Sequence, residues 1–340
     1  SIVDKNHVLC GDETYECDNL LLCTGSETFI PPIPGIDTVP YWTHRDALDN
    51  KELPKSLVVI GGGVIGMEFA SFFNSLGVEV TVIEMLDEIL GGMDKELSAM
   101  LRAEYAKRGI KFMLNTKVVS LDGSTGENGE TQVRVNYENA EGTGFSVAEK
   151  LLMSVGRRPV TKGFGLENLN PEKTERGNIR VDGQMRTSVT GVYACGDLTG
   201  FSLLAHTAVR EAEVAVHAVL GKKDCMSYRA IPGVVYTNPE IAGVGDTEEA
   251  LQKKGIPYRT VKLPMAYSGR FVAENEGVNG ICKLLLAEDD TVLGAHVLGN
   301  PASEIITLAG MAVELKLTAA EWKKIVFPHP TVGEIFKEAL

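Results

Sequence analysis

No two of the six cysteines (Cys10, Cys17, Cys23, Cys195, Cys225 and Cys282) stand in a C-x-x-C or C-x-x-x-x-C pair. The sequence therefore carries no local redox motif and no metal-ligand spacing, and no metal site is expected. It also has no uncharged apolar run of about 18 residues, the length a membrane span needs. The longest candidate, 57–73, is rich in glycine and interrupted by Glu68. No basic segment leads into an apolar one at the start, so no secretory signal is expected. Thiols in a long chain without such a signal are expected to stay reduced, in the cytoplasm. Basic residues are in deficit: 33 Lys and Arg against 46 Asp and Glu give a net charge of −13. That balance argues against nucleic acid and anionic membranes as partners.

The rest of the composition is ordinary: 44% hydrophobic, 23% charged, 6% aromatic, with 36 Gly and 14 Pro. It excludes a disordered chain, a collagen and a small disulfide scaffold. At roughly 150 residues per domain, 340 residues suggest two domains or three.

The strongest local signal is a β-α-β unit. Residues 57–60 (LVVI) read as a strand, followed by Gly61-Gly62-Gly63-Val64-Ile65-Gly66. Residues 67–77 carry apolar residues at helical spacing, with Gly77 where a C-cap belongs, and 78–84 (VEVTVIE) read as the next strand. G-x-G-x-x-G by itself is weak: with 36 glycines in 340 residues it arises by chance roughly 0.4 times. Its setting here is complete, with a strand before, a helix after, and Glu84 ending the next strand 18 residues beyond Gly66. Gly61 permits the tight turn, Gly63 lets the backbone approach a pyrophosphate, and Gly66 lets helix pack on strand. The helix start offers free N–H groups and the positive dipole end to phosphate. Glu84 can accept from ribose hydroxyls and repels a 2′-phosphate. Met85, Leu86 and Asp87 follow it, with no cation to hold one, so NAD is favoured over NADP. Glu68 reads equally as a charge favourable to the helix start or as a group near the nicotinamide.

Residues 94–108 read as an amphipathic helix stopped by Gly109. Residues 110–121 and 131–138 alternate like antiparallel strands around a turn at 122–130, and 150–155 read as a buried strand. Residues 19–25 (NLLLCTG) weakly repeat 150–156 (KLLMSVG), each an apolar strand stopped by glycine. The second closes a domain opened by a β-α-β unit; the first has no such unit before it, so a nucleotide-binding half is expected upstream of Ser1. Short strands are expected in 178–181 and 191–195, and a helix over 203–220. Beyond residue 230 an α+β unit is expected, with strands near 234–236, 258–263, 280–286 and 292–298. Its helices are expected near 247–254, 302–315, 318–325 and 331–339.

The segments LLCTGSE (21–27), VVIGGGVIGMEF (58–69), SVGRRP (154–159), TSVTGVYACGD (187–197), LLAHTA (203–208), YTNPEIAGVG (236–245), VLGAHVLG (292–299) and HPTVGE (329–334) occur in that order. Together they resemble the flavin-dependent pyridine nucleotide–disulfide oxidoreductases, above all the dihydrolipoamide-oxidising branch, over essentially the whole chain. The resemblance implies an α/β fold. A Rossmann-like NAD-binding domain (46–157) is inserted between parts of an incomplete FAD-binding domain (1–45 and 158–228). An α+β dimerisation domain (229–340) follows. It implies reoxidation of protein-bound dihydrolipoamide by NAD+ through FAD and a redox disulfide. The implied partners are a second copy of the chain and the lipoyl domain of a 2-oxo acid dehydrogenase or glycine-cleavage complex.

By the same resemblance Gly61, Gly62, Gly63, Val64, Ile65, Gly66, Met67, Glu68, Glu84, Val118 and Gly156 bind NAD. Thr24, Gly25, Ser26, Asp197, Leu203, Leu204, Ala205 and His206 contact FAD. His329 and Glu334 form a general acid/base pair that reaches into the partner subunit. The chemistry asks for such a pair: a thiol must lose its proton before it attacks a disulfide, imidazole titrates near neutral pH, and a carboxylate behind it fixes the tautomer. Read on spacing alone, Thr331 to Glu334 is equally a capping box for the last helix. Two features of the family are missing, the C-x-x-x-x-C disulfide and the FAD G-x-G-x-x-G, and both are expected upstream of this sequence. A soluble pyridine nucleotide transhydrogenase, another disulfide reductase of the family, and a non-catalytic dinucleotide-binding and dimerisation module are the alternatives.

Overall fold

The computed structural model describes residues 1–126, 129 and 131–340. They form two compact units, Ser1–Phe29 with Arg157–Tyr228, and Ile30–Gly156 with Arg229–Leu340.

The second unit contains a four-stranded parallel sheet in the spatial order Lys150–Met153, Ser56–Ile60, Glu79–Ile83, Lys111–Met113. Numbered along the chain, that order is 4-1-2-3, the arrangement of one half of a doubly wound nucleotide-binding sheet. Both faces are covered, as all-parallel sheets require. Leu57 and Val59 pack with Met67, Ala70 and Phe73 of the helix Val64–Ser75 and with Leu97, Leu101 and Tyr105 of the helix Lys95–Lys107. Val58 and Ile60 face the other way, against Leu121, Val133 and Val135 of an antiparallel three-stranded sheet. That sheet consists of Lys117–Thr125, Thr131–Asn139 and Gly142–Ala148.

Residues 110–121, expected to be one alternating strand, are two strands in two different sheets. Asn115, at φ 50°, breaks them apart, and its N–H donates to Leu86 O at 2.9 Å. The expected turn at 122–130 starts later, because Asp122–Thr125 continue the strand; Glu127, Asn128 and Glu130 lie outside the described residues.

The C-terminal part of the same unit is a five-stranded antiparallel sheet in the order Gly233–Val235, Ile241–Gly245, Val292–Leu298, Ile281–Leu286, Arg259–Pro264. Ile306, Ala309 and Val313 of the helix Ala302–Glu314 pack on it, with Trp322 and Phe336. The strand Ile241–Gly245, not expected from the sequence, lies inside this sheet, and the short helix Gly269–Glu274 was likewise not expected. The last helix is shorter than expected, Ile335–Ala339.

In the first unit Leu20–Leu22 runs parallel to Val192–Ala194, and Ser26–Thr28 antiparallel to Arg157–Pro159. Ile2–Asp4, His7–Cys10 and Glu13–Glu16 form a small meander. The helix Ala205–Val219 matches the expected span closely. Residues 178–181, expected to be a strand, make only an isolated bridge between Ile179 and Lys173.

Candidate functional site

The glycine-rich turn joins Ser56–Ile60 to the helix Val64–Ser75, with Gly63 as its N-cap. Its glycines are required for different reasons. Gly61 has φ 105°, and a Cβ there would lie 2.3 Å from Ser154 O. A Cβ on Gly66 would lie 2.1 Å from Gly61 O, so helix and turn touch backbone to backbone. A Cβ on Gly63 would meet nothing within 4 Å. The chain's own packing thus explains the first and last glycines, while Gly63 leaves open space in front of a helix N-terminus, where a pyrophosphate fits.

Glu84 closes the turn from the neighbouring strand. Its Oε2 accepts from Gly62 N–H at 2.6 Å and its Oε1 from Leu86 N–H at 2.8 Å. A carboxylate oxygen can accept more than one bond, so ribose hydroxyls can still be bound. Ile65 and Met67 lie in the first turns of the helix, Met67 fully buried against the sheet and Val64 exposed. Glu68 is half-buried and accepts from Tyr236 N–H at 2.9 Å. Burial holds its carboxyl above the usual range, and the Tyr236 bond opposes that. Glu68 borders a hollow of about 380 Å³ lined by Leu48, Leu53, Phe69 and Phe72. Val118 packs, partly buried, against the cluster that contains Val58, Ile60 and Leu121, and Gly156 has φ 128° with open space around it.

In the first unit Thr24, Gly25 and Ser26 form one connected turn. Thr24 Oγ1 donates to Val160 O at 2.8 Å, and Gly25 O accepts from Val160 N–H at 3.0 Å. The Ser26 hydroxyl donates to Asp197 Oδ2. Arg157, which the sequence reading missed as a site residue, donates from Nε to Ser26 Oγ at 2.6 Å and from Nη2 to Ser26 O at 2.7 Å. It lies 3.7 Å from Asp197 Oδ2, so one guanidinium organises both residues. The signal was available, since Arg157 lies inside the SVGRRP segment. Glu211 was missed too. It is fully buried and accepts from Gly196 N–H and Tyr228 OH, each at 2.5 Å, thereby holding the backbone next to Asp197. Burial raises its carboxyl, with the hydrogen bonds acting against that. Leu203 is exposed, Leu204 is the N-cap of the helix Ala205–Val219, and Ala205 and His206 are exposed on its first turn.

Near the C-terminus His329 Nδ1 lies 2.8 Å from Glu334 Oε1, and Glu334 Oε2 accepts from Thr331 N–H at 2.7 Å. The hydrogen bond from His329, and then that from Thr331, hold the Glu334 carboxyl below the usual range. The His329 side chain is 79% exposed and that of Glu334 17%. The capping-box reading of Thr331 to Glu334 is not met: one Glu334 oxygen orients the imidazole, and the other holds Thr331 N–H in the turn before the last helix. That helix begins at Ile335 with Glu334 at its N-cap, so Thr331 is not its cap.

The pyridine nucleotide-disulphide oxidoreductase sequence pattern matches residues 1–212, and that family's dimerisation domain matches residues 231–340. The chain belongs to this family of NAD-dependent flavoprotein oxidoreductases, whose members use FAD and NAD(H). It is similar to the human protein named dihydrolipoyl dehydrogenase, mitochondrial: 38% identity, covering 99% of this chain and 67% of the relative. The Caenorhabditis elegans protein of the same name is 37% identical over 96% of this chain and 66% of its own length. The chain thus spans about two thirds of the curated relatives it matches. Among solved structures, LpdA from Mycobacterium tuberculosis superposes with a TM-score of 0.86 at 29% identity, over 98% of this chain and 72% of that one. The flavoprotein disulfide reductase RclA from Escherichia coli gives 0.88 at 28% identity, over 99% and 77%.

Proposed function

We propose that this chain carries the NAD-binding, flavin-contacting and subunit-interface parts of a dihydrolipoyl dehydrogenase. Such an enzyme reoxidises protein-bound dihydrolipoamide with NAD+. The observation that carries this reading is the His329–Glu334 hydrogen bond with Thr331 N–H on the second carboxylate oxygen. Glu334 accepts from Nδ1–H, which leaves Nε2 as the basic nitrogen of the neutral ring. Nε2 takes the proton of a dihydrolipoamide thiol, and the resulting thiolate can attack a disulfide. Glu334 then stabilises the imidazolium, and its bond to Thr331 keeps it from turning away.

In this reading FAD, when bound, passes electrons from the dithiol side to NAD+. Gly61–Gly66, Met67, Glu68, Glu84, Val118 and Gly156 hold NAD. Thr24, Gly25, Ser26, Asp197 and residues 203–206 hold FAD, with Arg157 and Glu211 supporting them. The domains follow as 1–45 and 158–228 for flavin, 46–157 for NAD and 229–340 for the interface. His329 serves the other subunit of a homodimer, and a lipoyl domain delivers the substrate. The C-x-x-x-x-C disulfide is not among these 340 residues, and the reading assigns it to sequence outside them.

The test is complementation. This chain is mixed with a full-length homologue whose matching histidine is changed to alanine. A general base contributes about 10²–10⁴-fold in rate, so mixed dimers should restore dihydrolipoamide-dependent NAD+ reduction. Mixed dimers on a sizing column without a rise in rate would overturn the proposal.

A further inference from the structure

Cys23 and Cys195 are 172 residues apart in sequence, yet their sulfurs lie 3.3 Å apart. The strand register explains this. Leu20, Leu21 and Leu22 lie opposite Val192, Tyr193 and Ala194 in parallel, and Cys195 N–H donates to Leu22 O at 3.1 Å. Each cysteine is the next residue on its strand. Neighbouring strands lie about 4.8 Å apart, within the roughly 4.4–6.8 Å Cα separation that a disulfide spans. The sulfurs, 3.3 Å apart, have roughly 1.2 Å to close to reach the bonding distance of about 2.05 Å. The two thiols differ in access: Cys23 is exposed and Cys195 is buried.

We propose that Cys23 and Cys195 are a dithiol–disulfide site, separate from any C-x-x-x-x-C pair, that is oxidised by exchange with a soluble disulfide such as oxidised glutathione. Exposure makes Cys23 the attacking thiol and burial makes Cys195 the resolving one. The Cys195 hydrogen bond favours the Cys23 thiolate, against the opposing effect of burial. That bond, then burial and nearby negative charge, push Cys195 upward, so it keeps its proton until Cys23 has reacted.

The steps balance. The Cys23 thiolate attacks one sulfur of the oxidised disulfide, forming a mixed disulfide and releasing one thiolate. Cys195 loses its proton to solvent and attacks the Cys23 sulfur, releasing the second. The protein dithiol gives up two electrons, and the disulfide becomes two thiols. The new bond would tie the strand leading into Thr24, Gly25 and Ser26 to the one leading into Asp197. The same treatment has internal controls: Cys10 and Cys225 are exposed but lie near no other thiol among the described residues.

The reduced protein is treated with oxidised glutathione near neutral pH, quenched with acid, alkylated and mapped by mass spectrometry. The expected result is a Cys23–Cys195 cross-linked peptide with no glutathione retained on either residue. Cys195→Ser, or Cys195→Ala if the serine variant folds poorly, should stop with one glutathione on Cys23. Cys23→Ser should give neither product. Stable glutathione on wild-type Cys23, or a Cys195→Ser protein that behaves like wild type, would overturn the proposal.

Discussion

Lys283 Nζ lies 2.8 Å from Asp94 Oδ2, and both side chains are 1% exposed. Asp94 also accepts from Leu97 N–H at 3.2 Å as the N-cap of the helix Lys95–Lys107. Glu96 and Glu248 approach the same ammonium. Burial works to lower the Lys283 ammonium, but the surrounding carboxylates outweigh it and the net direction is upward. The bridge joins a helix on the parallel sheet to the strand Ile281–Leu286, inside one compact unit.

Asp94→Ala should therefore destabilise the unit by about 3–5 kcal/mol, because it removes both the helix cap and the partner of a buried cation. Lys283→Met in the Asp94→Leu background should recover part of the loss, because the fully buried ammonium is gone, while Glu96 and Glu248, which lose that cation, are only partly buried and can be hydrated. Urea denaturation of the three proteins measures this. An Asp94→Ala loss under 1 kcal/mol would contradict the burial argument.

The three motif glycines should separate by assay. Gly61→Ala and Gly66→Ala should lower the melting temperature, since each added Cβ runs into backbone at 2.3 or 2.1 Å. Gly63→Ala should leave the melting temperature unchanged and weaken NADH binding at least tenfold, because only a bound pyrophosphate competes for that space. Calorimetric titration and thermal melts read the two quantities separately.

NADH should bind more tightly than NADPH, because Glu84 places a carboxylate beside the turn. Glu84→Ala should weaken NADH by about 1–3 kcal/mol, since Gly62 and Leu86 N–H lose their acceptor along with the ribose. It should also narrow the gap between the two nucleotides. Equal wild-type affinities in a fluorescence titration would refute the assignment.

Glu334 should titrate below ordinary glutamates. Its folded value is depressed, so its contribution to stability is present above the ordinary range and is lost as pH falls through the folded value. His329→Ala should move that titration upward, because the bond to His329 is the first cause of the depression. Carboxyl NMR of the two proteins gives the answer, and an unmoved titration would mean that the bond does not form in solution.

The nucleotide turn was legible in the sequence because its glycines sit at fixed spacing: a Cβ on Gly66 would run into Gly61 O, and one on Gly61 into Ser154 O of the neighbouring segment. The strand Ile241–Gly245 was not legible, since IAGVG looks like a loop. Its Gly243 is explained only by buried His296, whose Nδ1 would lie 2.6 Å from a Cβ there. Alternation at 110–121 could not reveal that Asn115 divides it between sheets. His329 and Glu334 were visible as a motif and Arg157 stood inside the SVGRRP segment, but the contacts of Arg157 with Ser26 and of Cys23 with Cys195 depend on long-range register that no spacing rule carries.

The first unit's pairing of Leu20–Leu22 with Val192–Ala194 also sets a timetable for synthesis. Leu20–Leu22 has its partner at Val192–Ala194, so that ladder closes only after some 170 further residues have been made. At ribosomal rates of about 5–20 residues per second, the wait is roughly 10–30 s. Meanwhile the Ser56–Ile60 sheet can assemble as soon as Lys150–Met153 emerges, whereas Leu20–Leu22 has to be shielded from other chains until its partner strand arrives.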